Sequence, residues 1–273
     1  MSGAERVARK GVSKGMWISA RAGHVAKGVV YAIIGVLAVQ AALGQGQATD
    51  GRGALQQIAR EPFGRILLVL TGIGLFAYLV WSFIQAIADA DNDGSDAKGL
   101  IKRIGYSISG LAHGALGFTA FQLAFGSGGG GAGNAQSMTA WLMQQPFGRW
   151  LVAIVGVVLV GNGIGTIIVG AKKKFKRKLT LSRMKATEKT WAVRAGVFGL
   201  IALGFVFGLV GGFLIYAAVQ AQPEEAQGVG GVLRSLLQQS HGPLLLGVVA
   251  LGLIAYGIYM LVLARYRRIP AGH

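Results

Sequence analysis

The residues of this chain with the widest chemical reach are few. Asp89, Asp91 and Asp93 stand in the pattern Asp-x-Asp-x-Asp-Gly, which matches the first half of a calcium loop, where alternating carboxylates converge on one hard cation. The twelfth position, where such a loop needs a bidentate glutamate, is Leu100, and no soluble helices flank the motif. These three aspartates are therefore weak metal candidates. The alternative is a solvated acidic loop facing the basic run at 172–178.

A second set is polar and lies within apolar runs. Gln40 and Gln122 fall near the outer ends of two such runs, and Asn162 stands between Gly161 and Gly163. Turned inward, these amides would line a polar pathway; otherwise they bond between helices or touch headgroups. His113 lies roughly 10 Å along its helix from the inner end, at 1.5 Å per residue, whereas His24 lies at the inner end of its own. Those depths do not suit a shared haem or metal, and His113 reads as a hydrogen-bonded packing residue.

The chain has no cysteine, which removes disulfides, thiolate metal sites and thiol catalysis. No phosphate loop, nucleophile elbow, zinc motif or dinucleotide fingerprint stands in a workable setting. No cofactor and no enzymatic activity are expected.

These residues are carried by a membrane protein. Of 273 residues, 53% are hydrophobic and 14% charged; soluble domains carry about 25% charged residues. Six runs satisfy the requirement of about 20 apolar residues per span: about 25–43, 66–88, 106–125, 150–170, 196–220 and 244–263. The first resembles a signal peptide, but it is long, lacks a convincing cleavage site and precedes five more spans, so it reads as an uncleaved span. The span interiors hold no Asp, Glu or Arg, and Lys27 is expected to snorkel to the interface from the first turn of span one.

The net charge of +17 belongs to the membrane surface and not to nucleic acid, because no basic stretch is attached to a soluble fold. Lys and Arg crowd the segment before span one, the loops after spans two and four, and the C-terminal tail. By the positive-inside rule that face and both termini are cytoplasmic. Lys172, Lys173, Lys174, Lys176, Arg177 and Lys178 are expected to contact anionic headgroups. Trp17, Trp81 and Trp191 are placed near the inner interface, Trp141 and Trp150 near the outer one.

The spans repeat. Odd spans open with Arg-x-Gly at Arg21, Arg103 and Arg194. Aligned there, Gly28 meets Gly110, Gly35 meets Gly117 and Gly208, and Gln40 meets Gln122, while the third copy has Ile201 and Phe213 at the first and last of these places. Even spans follow Pro62-Phe63-Gly64-Arg65, Pro146-Phe147-Gly148-Arg149 and the degraded His241-Gly242-Pro243, each preceded by a short amphipathic stretch expected to lie on the outer surface. The fold class is all-α: six transmembrane helices as three tandem two-helix repeats (about 17–88, 100–171 and 190–265) around a pseudo-threefold axis. They make one membrane domain over 1–265, with a short tail at 266–273. Gly-x-x-x-Gly faces such as 110/114, 161/165, 204/208 and 208/212 bring backbones together within the monomer or in a homo-oligomer.

The threefold Arg-x-Gly opening, the Pro-Phe-Gly motif and the acidic loop after span two together resemble bacterial membrane proteins carrying the domain of unknown function 1206, over about residues 17–265. The resemblance implies six spans in three repeats and no activity. Two functional classes remain: a non-enzymatic structural, accessory or lipid-interacting component, and a channel or facilitator for a small solute through the bundle.

Overall fold

The computed structural model describes residues 3–91, 93–126 and 135–267. Among them are nine α-helices: α1 (Gly3–Ala42), α2 (Gly51–Arg60), α3 (Gly64–Ile87), α4 (Ala97–Ala124), α5 (Ala135–Met143), α6 (Gly148–Ala171), α7 (Ala186–Gln220), α8 (Val229–Leu237) and α9 (Gly242–Tyr266). Five of the long ones (α1 from Trp17 onward, α3, α6, α7 and α9) are long and apolar enough to cross a membrane. α4 has 28 residues, but Tyr106, Ser107, Ser109, His113, Thr119 and Gln122 dilute its apolar character.

α2, α5 and α8 are the short helices expected before each even span. α2 starts where the Asp50 carboxylate accepts the backbone N–H groups of Arg52 and Gly53, at 3.0 and 3.1 Å. The turn from α2 into α3 needs Phe63 at φ 63° and then glycine, because a Cβ on Gly64 would lie 2.5 Å from the Ile58 carbonyl oxygen. Gly148 and Gly242 face the carbonyls of Leu142 and Leu237 in the same way. The degraded third motif therefore keeps its working residue, Gly242. Pro62 and Pro146 sit in the turn, whereas Pro243 occupies the first turn of α9, where proline is tolerated.

The Arg-x-Gly arginines close helix ends. Arg103 donates to the carbonyls of Ala86 and Ile87 at the end of α3, the latter at 3.1 Å, and Arg21 donates to that of Arg265 at the end of α9, also at 3.1 Å. Carbonyls there lack intrahelical partners. Arg194 has a different role, lying 5.9 Å over the Trp191 ring.

The long helices neighbour one another in the order α4, α3, α1, α9, α7, α6. The closest pairs join different repeats, and each crosses at glycine. A Cβ on Gly28 would meet the Gly257 oxygen at 2.9 Å, one on Gly110 the Leu79 oxygen at 3.4 Å, and one on Gly204 the Gly163 oxygen at 2.5 Å. One level further out, Gly35 meets Ala250 at 2.8 Å, Gly117 meets Gly72 at 3.2 Å and Gly211 meets Gly156 at 2.6 Å. These crossings set the register of the third copy three residues later than alignment on Arg194 does. Gly204 and Gly211, not Ile201 and Gly208, are the counterparts of Gly28 and Gly35.

The expected closed ring is open at one place, since α4 and α6 make little contact with each other. Each spends its small residues on a neighbouring repeat: Gly110, Gly114 and Gly117 face α3, and Gly156, Gly163 and Gly170 face α7. Nothing lies within 4 Å of a Cβ placed at Gly161 or Gly165.

Candidate functional site

The expected polar pathway is not assembled. Gln40 and Asn162 are exposed and Gln122 is half-buried on separate helices. Asn162 occupies the same place after its Pro-Phe-Gly glycine as Tyr78 and Tyr256 do in the other copies, yet those two are inside and it is outside.

Lys27 does not snorkel. It lies ten residues inside the apolar part of α1, about 15 Å at 1.5 Å per residue, and its side chain turns into the bundle, leaving the residue 6% exposed. The Nζ donates to the Tyr78 hydroxyl at 2.9 Å. It also lies 4.5 Å from the centre of the Tyr78 ring and 5.9 Å from each of Tyr31 and Tyr256. Ring faces thus take the place of a counter-ion. The Tyr78 hydroxyl is 3.4 Å from the Ser109 hydroxyl, and its ring is 4.8 Å from that of His113. His113 Nδ1 is 2.7 Å from the Ser109 carbonyl oxygen. His113 thus stands in the wall of a lysine–tyrosine box.

Toward the proposed inner face the box continues into an ionic clasp. His24 packs edge-on to Tyr78 at 5.8 Å, and its Nε2 lies 3.1 Å from an Arg267 amino nitrogen. Arg267 reaches both oxygens of Asp91 at 2.7 and 3.1 Å, Lys178 donates to Asp91 at 2.7 Å, and Gln85 donates to it at 2.7 Å. Asp93 accepts from Lys102 at 2.6 Å, from the Tyr106 hydroxyl at 2.7 Å and from Arg177 at 3.3 Å. The side chains of Asp91 and Asp93 are 8% and 1% exposed, so both are interior charges.

Burial alone would raise the Asp91 carboxyl, but the charges of Lys178 and Arg267 outweigh it and hold the group well below the usual carboxylate range. Asp93 is also lowered: burial again opposes the shift, and the hydrogen bonds from Lys102 and Tyr106 prevail. Burial pulls the Lys178 ammonium below its ordinary value, against the attraction of Asp91.

The clasp fixes the loops that supply it. Phe175 is buried against Tyr259 at 5.1 Å, and Thr180 N–H bonds the Tyr266 carbonyl at 2.9 Å, so the 172–184 loop is folded onto the end of α9.

Two expectations change here. Lys178 faces the protein and not the headgroups, while Lys172, Lys173, Lys174 and Arg177 are exposed and Lys176 is half-buried. Trp81 is no interfacial anchor: it is 1% exposed, with Arg267 stacked 4.8 Å from its ring centre. Trp17, Trp141, Trp150 and Trp191 are exposed.

The acidic loop faces the basic run, as one reading held. Asp89 spends its oxygens on the N–H groups of Asp93 and Gly94, at 2.7 and 2.9 Å, while Asp91 and Asp93 face separate cations. No group of three metal-binding side chains converges among the described residues. Sequence reasoning missed Tyr31, Tyr78, Tyr256, Trp81 and Arg267. Tyrosine in an apolar run carries little signal alone; the usable one was its recurrence at equivalent positions, Tyr78 and Tyr256.

Clefts among the described residues include one of about 280 Å³ between α5 and Pro223–Glu225, and one of about 210 Å³ bordered by Trp191, Ile258 and Arg265.

A family model described as Domain of Unknown Function (DUF1206) matches three segments, 22–89, 104–173 and 198–267. Their starts put Gly28, Gly110 and Gly204 at the same place in each segment, in agreement with the glycine crossings. An uncharacterized protein of Bacillus subtilis (strain 168), YxxB, is 36% identical over 253 residues, covering 92% of each chain. No solved structure matches. With three consecutive segments matched and a relative similar over nearly its whole length, the chain belongs to the DUF1206 family.

Proposed function

We propose that this chain is a six-span membrane protein of the inner membrane, with both termini cytoplasmic, and that it is a non-enzymatic component which engages anionic lipid at its inner face. α4 is the sixth span in this reading, and the three repeats surround an approximate threefold axis opened between α4 and α6. The observation that carries it is the docked 172–184 loop. Phe175 and Lys178 anchor it inward, and Lys172, Lys173, Lys174 and Arg177 are left exposed. Each basic residue near an anionic leaflet contributes about 1 kcal/mol. Nucleic acid has no part in it.

The test is lipid preference in reconstituted membranes. Exchanging Lys172, Lys173, Lys174, Lys176 and Arg177 for Gln should abolish most of the preference for spin-labelled phosphatidylglycerol over phosphatidylcholine. Equal preference before and after would reject the reading.

The buried polar string favours a second reading, a facilitator for a small solute. Its route would run Asp91, Arg267, His24, Tyr78, Lys27, not through Gln40, Gln122 and Asn162. Liposome flux that is insensitive to Lys27→Met would exclude that route.

A further inference from the structure

Asp91 sits among donors that suit a larger anion than itself. Arg267 grips both its oxygens, and Lys178 and Gln85 complete the shell at 2.7 Å each. Both contacts come from one Arg267 amino nitrogen, and a guanidinium with a lysine and an amide is also a donor set that recognises phosphate. Two further buried donors, Arg267 Nε and the Nε1 of Trp81, whose ring lies 4.8 Å from that guanidinium, have no hydrogen-bond partner among the described residues. The Arg267 side chain is 5% exposed and Trp81 1%, so open water does not serve these atoms. Charge is unbalanced in the same sense. Lys178 and Arg267 pair with Asp91, Asp93 beside it has Lys102 and Arg177 of its own, and Lys27 adds a further cation deeper in the bundle.

We propose that the pocket formed by Arg267, Lys178, Gln85 and Trp81 is an oxyanion site, that Asp91 fills it as a tethered stand-in, and that a phosphate group is its external ligand. A phosphate carries up to two charges and more acceptor oxygens than a carboxylate. It therefore matches both the two facing cations and the two unused N–H groups. Lys178, 24% exposed, marks the way in. The phosphate could belong to a free ion or to a lipid headgroup of the inner leaflet, and the two sources are separable.

The full chain in neutral detergent is heated with sodium phosphate or with sodium chloride of equal ionic strength. Asp91→Asn frees the site, so phosphate is expected to raise its unfolding midpoint by several degrees while chloride does not. Adding Trp81→Phe should remove most of that gain. In the unaltered chain phosphate should give a saturable change in tryptophan emission that chloride does not give and that Trp81→Phe lacks. Nanodiscs separate the sources: protection of Asp91→Asn by phosphatidylglycerol over phosphatidylcholine, without an effect of free phosphate, assigns the ligand to lipid. Exchanging Lys172, Lys173 and Lys174 for Gln should leave these effects in place, which keeps this site distinct from headgroup contact at the surface. An Asp91→Asn chain indifferent to both phosphate and phosphatidylglycerol overturns the proposal. If Asp91→Asn does not fold, the absence of a phosphate-specific emission change in the unaltered chain overturns it equally.

Discussion

At the scale of the residue, Asp91 and Lys27 are buried charges with opposite solutions. Asp91 is paired by cations from two other segments of chain, and removing one partner of such a pair strands the rest. Asp91→Asn is expected to cost about 3–5 kcal/mol, measured as chemical unfolding in detergent. Its acid dependence has a definite sign. The folded carboxyl lies below the unfolded value of about 3.9, so the clasp contributes fully above that pH and its contribution is lost as pH falls through the folded value. The thermal midpoint of the unaltered chain should hold from neutral pH to about pH 5 and decline below about pH 4, and Asp91→Asn should lack that part of the decline. Lys27 is met by ring faces and one hydroxyl, with no carboxylate in the box. Lys27→Met keeps the length and removes the cost of burying an ammonium, so an unchanged or higher midpoint is expected.

At the scale of the element, the glycines separate into two kinds. Gly163 and Gly257 sit at crossings where a Cβ would come within 2.5 Å of the Gly204 oxygen and 2.7 Å of the Gly28 oxygen. Gly161 and Gly247 have nothing within 4 Å. Gly163→Ala and Gly257→Ala should each destabilise by about 1–3 kcal/mol through forced separation of the helices, whereas Gly161→Ala and Gly247→Ala should be neutral or slightly stabilising in the same unfolding assay. Much of this level was legible in sequence. The spans, the short helices before even spans and the glycine-led turns follow from apolar length and repeated motifs. What was not legible is direction around a helix. An apolar span in lipid has no polar face to reveal its inside, so Asn162 and Tyr78 look alike in sequence while facing opposite ways. The same blindness misplaced Lys27 and Trp81, because α1 begins well before its apolar run and Arg267 covers the Trp81 ring. The register of copy three failed for another reason: Arg194 resembles Arg21 and Arg103 but serves Trp191 instead of a helix end.

At the scale of the whole molecule, the basic face, the clasp and two exposed tryptophans lie at one end of the bundle, while α2, α5 and α8 mark the other. This predicts orientation. The chain has no cysteine, so single cysteines report cleanly: one at Lys174 should react with an impermeant maleimide only after the cytoplasmic side is opened, and one at Gln136 should react in intact cells. The reverse pattern, or a reporter after His273 active only outside, would invert the topology.

The pairing of α1 with α9 has a consequence for biogenesis. α1 finds its main glycine-lined partner in α9, five long helices later, so Gly28, Gly35 and the Tyr256 side of the Lys27 box stay uncovered until α9 has been made. Asp91 likewise waits for Arg267, which lies near the end of the chain. Arrival of α9 and Arg267 and closure of this end of the bundle are then a single event. A chain ended after Gln220 should insert but remain open at Lys27, and rapid degradation of that product in cells, against persistence of the full chain, would be its signature.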